Sequence, residues 1–288
     1  MTSPKRLPDL QRDAKALAER VLAEDGAVDV TSEVVGAAGV TASGVVEYRS
    51  GGVLAGRVYA DAVVHLCGCG PLDWIVGDGA VVAPGSVVAR VRGDLAAILR
   101  AERSLLNVLQ RACGIATATN AFVRAVAGTG CRVLHTRKTA PGLRILDAHA
   151  VLAGGGALHR LDLGSAVLVK DNHWHLLGRR GSSLRAACDA ARARGVSGIY
   201  VEVESREQVT AACLAGATRL LVDNQSPMEF CRLAELARTL APGIEMEATG
   251  GVTLELAREY AESGAGFVSV GALTHSVRAA DIALEIEE

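Results

Sequence analysis

The 288-residue chain predicts an α/β fold: a glycine-punctuated segment of antiparallel type, followed by a parallel β/α barrel, whole or incomplete. Three observations carry this expectation. From Cys131 onward, strand-like and helix-like runs alternate regularly, which argues for parallel strands covered by helices. Polar groups or glycines collect at or just after each strand-like run, where β/α barrels build their sites. Between His135 and His173, nine cationic or potentially cationic side chains face three acids, and the runs flanking them read as core. An open doubly wound sheet would also offer ligands its strand C-termini. No Gly-x-Gly-x-x-Gly turn follows the first of these strands to support it.

Taken in order, Leu10, Ala14, Leu17, Ala18, Val21 and Leu22 recur at helical spacing, and Asp25-Gly26 closes that helix. Residues 41–49 and 80–92 are short β-type runs, with a helical stretch at 55–66 between them. Gly77-Asp78-Gly79 and Pro84-Gly85 fit strand reversals in an antiparallel sheet. A long helix is predicted over 95–126, with a break near Gly114. It carries Arg103 beside an apolar face of Leu105, Leu106 and Leu109. Barrel strands are predicted at 131–134, 166–169, 199–203, 219–222, 245–248 and 267–270. Intervening helices are predicted at 183–194, 206–215, 227–240 and 253–263.

Half the residues are hydrophobic and 3% aromatic, so the core must be packed with Ala, Val and Leu. A formal charge of −2 gives no whole-chain case for nucleic acid or an acidic membrane. No apolar run approaches the ~20 residues of a membrane helix. Met1-Thr2-Ser3-Pro4-Lys5-Arg6 lacks the apolar core of a signal sequence, so a cytoplasmic protein is expected. The seven cysteines are scattered. Most read as reduced, buried small residues, and Cys67 and Cys69 lack the second pair that a tetrahedral metal site needs.

The chemistry follows from the strand ends. His135, Arg137, Lys138, His159, Arg160, Lys170 and His173 outnumber the local acids, and cations at the ends of buried strands point to a substrate with several anionic groups. The competing reading is salt-bridging within the barrel. Glu202 and Asp223 end neighbouring strands, and could hold a Mg²⁺-like ion that keeps its waters, bind sugar hydroxyls, or pair internally. Glu204 and Glu247 are further candidates, equally well explained as structural. Thr249-Gly250-Gly251 and Gly271-Ala272-Leu273 follow the last two strands, where barrels hold phosphate on backbone N–H groups. His275 and Ser276 could add donors or cap a helix. Lys138 or Lys170 could instead be a Schiff-base nucleophile, although so many cations suit a polyanion better.

With these residues placed, the chain resembles the quinolinate phosphoribosyltransferase family. The resemblance runs through Ala101-Glu102-Arg103, Gly114-Ile115-Ala116-Thr117 and Thr136-Arg137-Lys138-Thr139-Ala140-Pro141-Gly142-Leu143-Arg144. It continues in Gly154-Gly155-Gly156, His159-Arg160, Lys170-Asp171-Asn172-His173, Val201-Glu202-Val203-Glu204, Asp223-Asn224, Gly250-Gly251 and Gly271-Ala272-Leu273-Thr274-His275-Ser276. It implies an N-terminal α/β sandwich (1–116) and an incomplete α/β barrel (117–275), with the tail 276–288 packing on the first domain. It also implies a homodimer in which Arg103 completes the neighbour's site. By that likeness Arg103, Arg137, His159, Arg160 and Lys170 bind the carboxylates of quinolinate, with Thr136 beside them. Lys138, Lys170, Asp171 and His173 surround the pyrophosphate of phosphoribosyl pyrophosphate. Glu202 and Asp223 hold the ribose hydroxyls and Mg²⁺. Thr249, Gly250, Gly251, Gly271 and His275 hold the 5-phosphate.

The implied reaction joins quinolinate to phosphoribosyl pyrophosphate, giving nicotinate mononucleotide, pyrophosphate and CO₂, with Lys138, Glu202 and Asp223 as catalytic groups. The chain departs from the family pattern at His135, where Asp is usual, and at Leu158, where Asn is usual. Cys113 and Thr249 stand where Ser is usual. His135 and Leu158 motivate an alternative, a related enzyme acting on another heteroaromatic acid. A Schiff-base lyase on a barrel is the reading from a different class.

Overall fold

The structure, a computed structural model, describes residues 7–180 and 183–287; the reading made of Met1–Arg6 lies outside them. In chain order the elements are α1 (Leu10–Glu24), α2 (Val30–Val34), β1 (Thr41–Tyr48), β2 (Gly52–Val53), α3 (Arg57–Leu66), β3 (Asp73–Trp74), β4 (Val81–Val82), β5 (Ser86–Asp94) and α4 (Leu95–Ala125). Then come β6 (Arg132–Leu134), α5 (Arg144–Ala153), β7 (Val167–Val169), α6 (Asp171–Arg180), α7 (Leu184–Ala193), β8 (Ile199–Val203) and α8 (Arg206–Ala215). The chain closes with β9 (Arg219–Asp223), α9 (Pro227–Leu240), β10 (Glu245–Thr249), α10 (Leu254–Glu262), β11 (Phe267–Ser269), α11 (Ala272–His275) and β12 (Ile282–Glu287).

Two compact units result. The first takes the chain up to Asn120, Thr139–Gly156 and the segment from Ala272 onward; the second takes Ala121–Lys138 and Ala157–Gly271. The first unit is built on an antiparallel sheet of order β12-β1-β5-β3. In β1, Gly44, Val46 and Tyr48 are buried in alternation, the period of a strand with one face on the core. Tyr59, Ala60, Val63 and Val64 give α3 one buried face, and the last three share a core with Val46, Tyr48, Leu105, Leu109, Ile282 and Leu284.

The helix break expected near Gly114 is absent, and α4 runs unbroken through it. Gly114 is there for space: a Cβ would stand 2.3 Å from the carbonyl oxygen of Arg278. Similarly, a Cβ on Gly154 would stand 2.4 Å from the oxygen of Ala116. Arg111 grips buried Asp147 with two bonds of 2.8 Å and donates a third, of 3.0 Å, to the carbonyl of Thr274. These contacts draw 139–156 and 272–275 into the first unit, where the sequence had assigned both to the barrel. Cys113, one of the family departures, accepts the Ala55 amide at 3.3 Å, and burial pushes its thiol up to about 12.

The second unit is a parallel sheet of order β6-β11-β10-β9-β8-β7 with helices between its strands, an incomplete α/β barrel. Ser183, Ser205 and Ser226 each cap the helix that follows, accepting from the backbone N–H of Ala186, Gln208 and Glu229. The first two strands in sequence, β6 and β7, lie at opposite edges of the sheet. The segment after Gly156 makes a parallel bridge from Ala157 to Leu134, so His159 and Arg160 enter along the free edge of β6.

Replacing Gly114 by Ala should destabilise the protein by about 1–3 kcal/mol through overpacking, read as a lower denaturant midpoint. Helix propensity alone predicts the opposite sign, a gain of about 0.5–1 kcal/mol. An unchanged or raised midpoint would therefore show that the tail does not press on this helix.

Candidate active site

Residues two apart on a strand share a face. In the second unit this brings Tyr200 and Glu202, Arg219, Leu221 and Asp223, Glu245, Glu247 and Thr249, and Phe267 and Ser269 to the inner face. A cavity of about 500 Å³ opens there. Of the residues expected in the site, Thr136, Arg137, Lys138, His159, Arg160, Lys170, Glu202, Asp223, Thr249, Gly250 and Gly251 all line it. Leu168, Leu221, Asn224, Glu247 and Ser269 complete the wall.

The cations are held in distinct ways. Arg160 is buried and donates to the Ala166 carbonyl at 3.2 Å; burial and the neighbouring Arg137 hold its guanidinium below the usual value. Arg137 keeps a buried Nε that no protein group accepts. The Arg137 charge bearing on Arg160, together with the Arg137 N–H that no protein group accepts, makes this wall suited to an anion. Lys170 reaches Glu202 at 2.5 Å. The hydroxyl of Thr136 accepts the Lys138 amide at 3.1 Å and fixes the turn that carries Lys138.

The carboxylates ring the opposite side. Asp223 accepts from the Asn224 amide at 2.7 Å. Asn224 has the left-handed φ of 53°. A Cβ on Gly250 would lie 2.4 Å from Asn224 Oδ1 and 2.6 Å from Asp223 Oδ1, so the glycine makes room for both. Among the described residues no cluster of three His, Cys, Asp or Glu side chains could hold a metal. Glu202 and Asp223 remain two hard oxygen donors on adjacent strands facing one cavity. That donor set fits a Mg²⁺ ion whose other ligands are waters and substrate phosphates.

Beneath them lies a network that sequence reasoning largely missed. Glu247 is fully buried; its Oε1 accepts from Ser269 Oγ at 2.6 Å, and Oε2 from Arg219 at 3.0 Å. The Nε2 of His159 faces Oε1 at 3.5 Å. Burial alone would raise this carboxyl, but the His159 hydrogen bond, Arg219 and Ser269 outweigh it and hold it below its ordinary value. Because His159 Nδ1 accepts the Arg160 amide at 2.7 Å, the ring's proton is on Nε2. Both ring nitrogens are thus engaged by the protein, and His159 offers the cavity its ring. A signal for Arg219 existed: it is a charged residue opening a strand whose middle, Leu220-Leu221-Val222, is apolar, and it lies opposite the Glu245/Glu247 pair.

Other expected residues lie elsewhere. Asp171 and His173 begin α6 rather than lining the cavity, and His173 Nδ1 caps that helix by accepting the Lys170 amide at 3.0 Å. Gly271 ends the second unit, outside the cavity lining. His275 is exposed in the first unit and hydrogen-bonds Ser276 at 2.7 Å. Arg103 is exposed on α4, with no hydrogen-bond or ion-pair partner among the described residues. His135 is fully buried and donates from Nδ1 to the Thr136 carbonyl at 2.9 Å; neither it nor Leu158 lines the cavity. No helix among the described residues is long and apolar enough to cross a membrane.

Comparison with known proteins bears on this geometry. Residues 29–113 match the family described as Quinolinate phosphoribosyl transferase, N-terminal domain, and residues 115–285 its C-terminal domain. The nicotinate-nucleotide pyrophosphorylase [carboxylating] of Mycobacterium leprae is 39% identical, over 97% of this chain and 100% of its own length. The human protein of the same name is 37% identical, over 83% of this chain and 80% of its own. The solved nicotinate-nucleotide pyrophosphorylase of Francisella tularensis superposes with a TM-score of 0.87 at 28% identity, covering 98% of each chain.

Glu247 yields a pH prediction. A carboxyl held below its ordinary value of 4.5 contributes stability that is complete above that value and drains away as pH falls through the lowered one. In Glu247→Gln this contribution is gone. The gap in unfolding free energy between parent and variant should therefore be widest above about pH 5 and shrink steadily below about pH 4. Denaturant unfolding across that range measures it, and a gap independent of pH would mean that ionised Glu247 is not what the floor relies on.

Proposed function

The chain belongs to the quinolinate phosphoribosyl transferase family, and we propose that the cavity over Glu247 is where it performs that family's reaction. The protein transfers the phosphoribosyl group of phosphoribosyl pyrophosphate to quinolinate with decarboxylation, a step of NAD biosynthesis. The observation that carries the assignment of the site is the Arg137–Arg160 pair, with the buried Nε of Arg137 unanswered. Two such groups suit the two carboxylates of quinolinate, each able to take an arginine bidentately.

The pyridine nitrogen attacks the anomeric carbon, the bond to pyrophosphate breaks, and positive charge develops on the ribose. Quaternising the ring nitrogen then lets the 2-carboxylate leave as CO₂, its bonding electrons remaining on C2 until a proton from water replaces it. Neither step needs a protein nucleophile. Binding and orientation carry the catalysis. Lys138 stabilises the departing pyrophosphate. The Lys170–Glu202 pair divides on binding, the lysine turning to a substrate anion and the carboxylate to the ribose hydroxyls beside Asp223. A lysine set against a carboxylate is also in the wrong surroundings for Schiff-base chemistry. The Gly250-Gly251 turn presents backbone N–H groups to the 5-phosphate. Glu202 and Asp223 would hold Mg²⁺, which supplies charge neutralisation to the pyrophosphate.

We further assign Arg103 to the site of a second copy in a homodimer, supported by its exposure and by its having no hydrogen-bond or ion-pair partner among the described residues. Since His135 and Leu158 do not line the cavity, nothing touching the acceptor favours a different ring.

Incubation with both substrates and Mg²⁺ should give nicotinate mononucleotide, and a panel of pyridine acids should show that both carboxylates are needed. Efficient turnover of nicotinate would end the quinolinate assignment. Arg103→Ala should lose roughly 2–5 kcal/mol of substrate interaction with little effect on folding. Mixing Arg103→Ala with Lys138→Ala subunits should restore activity, because each mixed dimer regains one intact site. If mixed dimers form without any recovery, Arg103 does not act across an interface.

A further inference from the structure

Resting on the function just proposed, we infer that Arg219 is a positioning residue for quinolinate recognition, although it sits below the cavity and does not line it. The argument starts from what holds His159. Its Nε2 faces the Glu247 carboxylate at 3.5 Å, and the Tyr200 ring meets its ring edge-on, with centroids 5.6 Å apart. Both of these supports are held by Arg219. One guanidinium nitrogen donates to Glu247 at 3.0 Å, and the guanidinium carbon lies 4.8 Å from the centroid of Tyr200.

Arg219 itself has little freedom. Phe267 lies 3.8 Å from the guanidinium carbon, Glu245 accepts from Nε at 2.8 Å, and the residue is only 8% exposed. A planar guanidinium meets this combination of ring faces and carboxylate edges; a lysine ammonium would not.

What His159 then controls is Arg160. The His159 Nδ1 accepts the Arg160 amide at 2.7 Å, which fixes the backbone from which that guanidinium enters the cavity. The chain of support is Arg219, then Glu247 and Tyr200, then His159, then Arg160. Glu247 is itself fully buried, with Ser269 and His159 at one of its oxygens and Arg219 at the other.

The test is steady-state kinetics on Arg219→Met, a replacement of similar length that removes the charge and the planar fork. The KM for quinolinate should rise about tenfold or more, as loss of an orienting partner behind a contact residue does. The KM for phosphoribosyl pyrophosphate and kcat should move by less than about threefold. Arg219→Met leaves Glu247 buried without its main counter-charge, so the double variant Arg219→Met/Glu247→Gln accompanies it. Removing both charges should restore the denaturant midpoint towards the parent while the quinolinate KM stays raised. A folded single or double variant with a parental quinolinate KM overturns the inference, as does an equal rise in both KM values. Parent protein inactive on quinolinate would instead strike the proposed function.

Discussion

A carboxylate with no access to water is costly, by several kcal/mol, unless donors surround it. Glu247 is such a group, and much of the second unit is arranged to satisfy it. Arg219 from β9, Ser269 from β11 and His159 from the segment after Gly156 all converge on it. Three pieces of chain distant in sequence are thereby tied to one point on β10. Their side chains cannot shift independently without leaving the charge short of a partner. The barrel is open between β6 and β7, and it lacks the closed ring of strands that would otherwise fix its interior geometry. A polar anchor in the floor supplies part of that definition.

The anchor also separates two electrostatic tasks. Arg137 and Arg160 line the cavity, where burial and the charge of Arg137 hold the Arg160 guanidinium below its usual value. Arg219, equally basic, is neutralised below by Glu245 and Glu247, which raise its hold on its proton in spite of burial. The second unit thus carries arginines in two settings: Arg219 is answered by carboxylates of the protein, whereas Arg137 and Arg160 line the cavity. Lys170 differs from both in being paired with Glu202, a carboxylate that itself lines the cavity.

The elements were legible in the sequence because their signals are local. Regular alternation of short apolar runs with helix-like segments placed β8, α8, β9 and α9 within a residue or so. The cavity residues were legible too, since strand ends in a parallel sheet share one rim. What escaped was long-range. Helix α5 was not anticipated, and α4 was expected to break at Gly114, because a glycine that makes room for a distant carbonyl looks the same as one that ends a helix. His159 was read as a ligand from its type; its two nitrogens turn out to serve the Arg160 amide and Glu247, a fact no spacing encodes. Arg219 went unnoticed because a single basic residue at a strand start resembles a solvated end.

One pairing in the first unit bears on how the protein comes into being. Strand β1 lies between β5 and β12, and β12 follows every strand of the second unit in sequence. A nascent polypeptide leaving the ribosome therefore has β1 and β5 long before the partner for β1's other edge exists. Ile282 and Leu284, part of that unit's core, arrive only after the strands of the second unit have been synthesised. Until then the N-terminal sheet carries an unpaired edge and an unfinished apolar face, the features that invite association between incomplete chains. The first unit thus completes its sheet only after the second unit has been made, with β12 acting as the clasp.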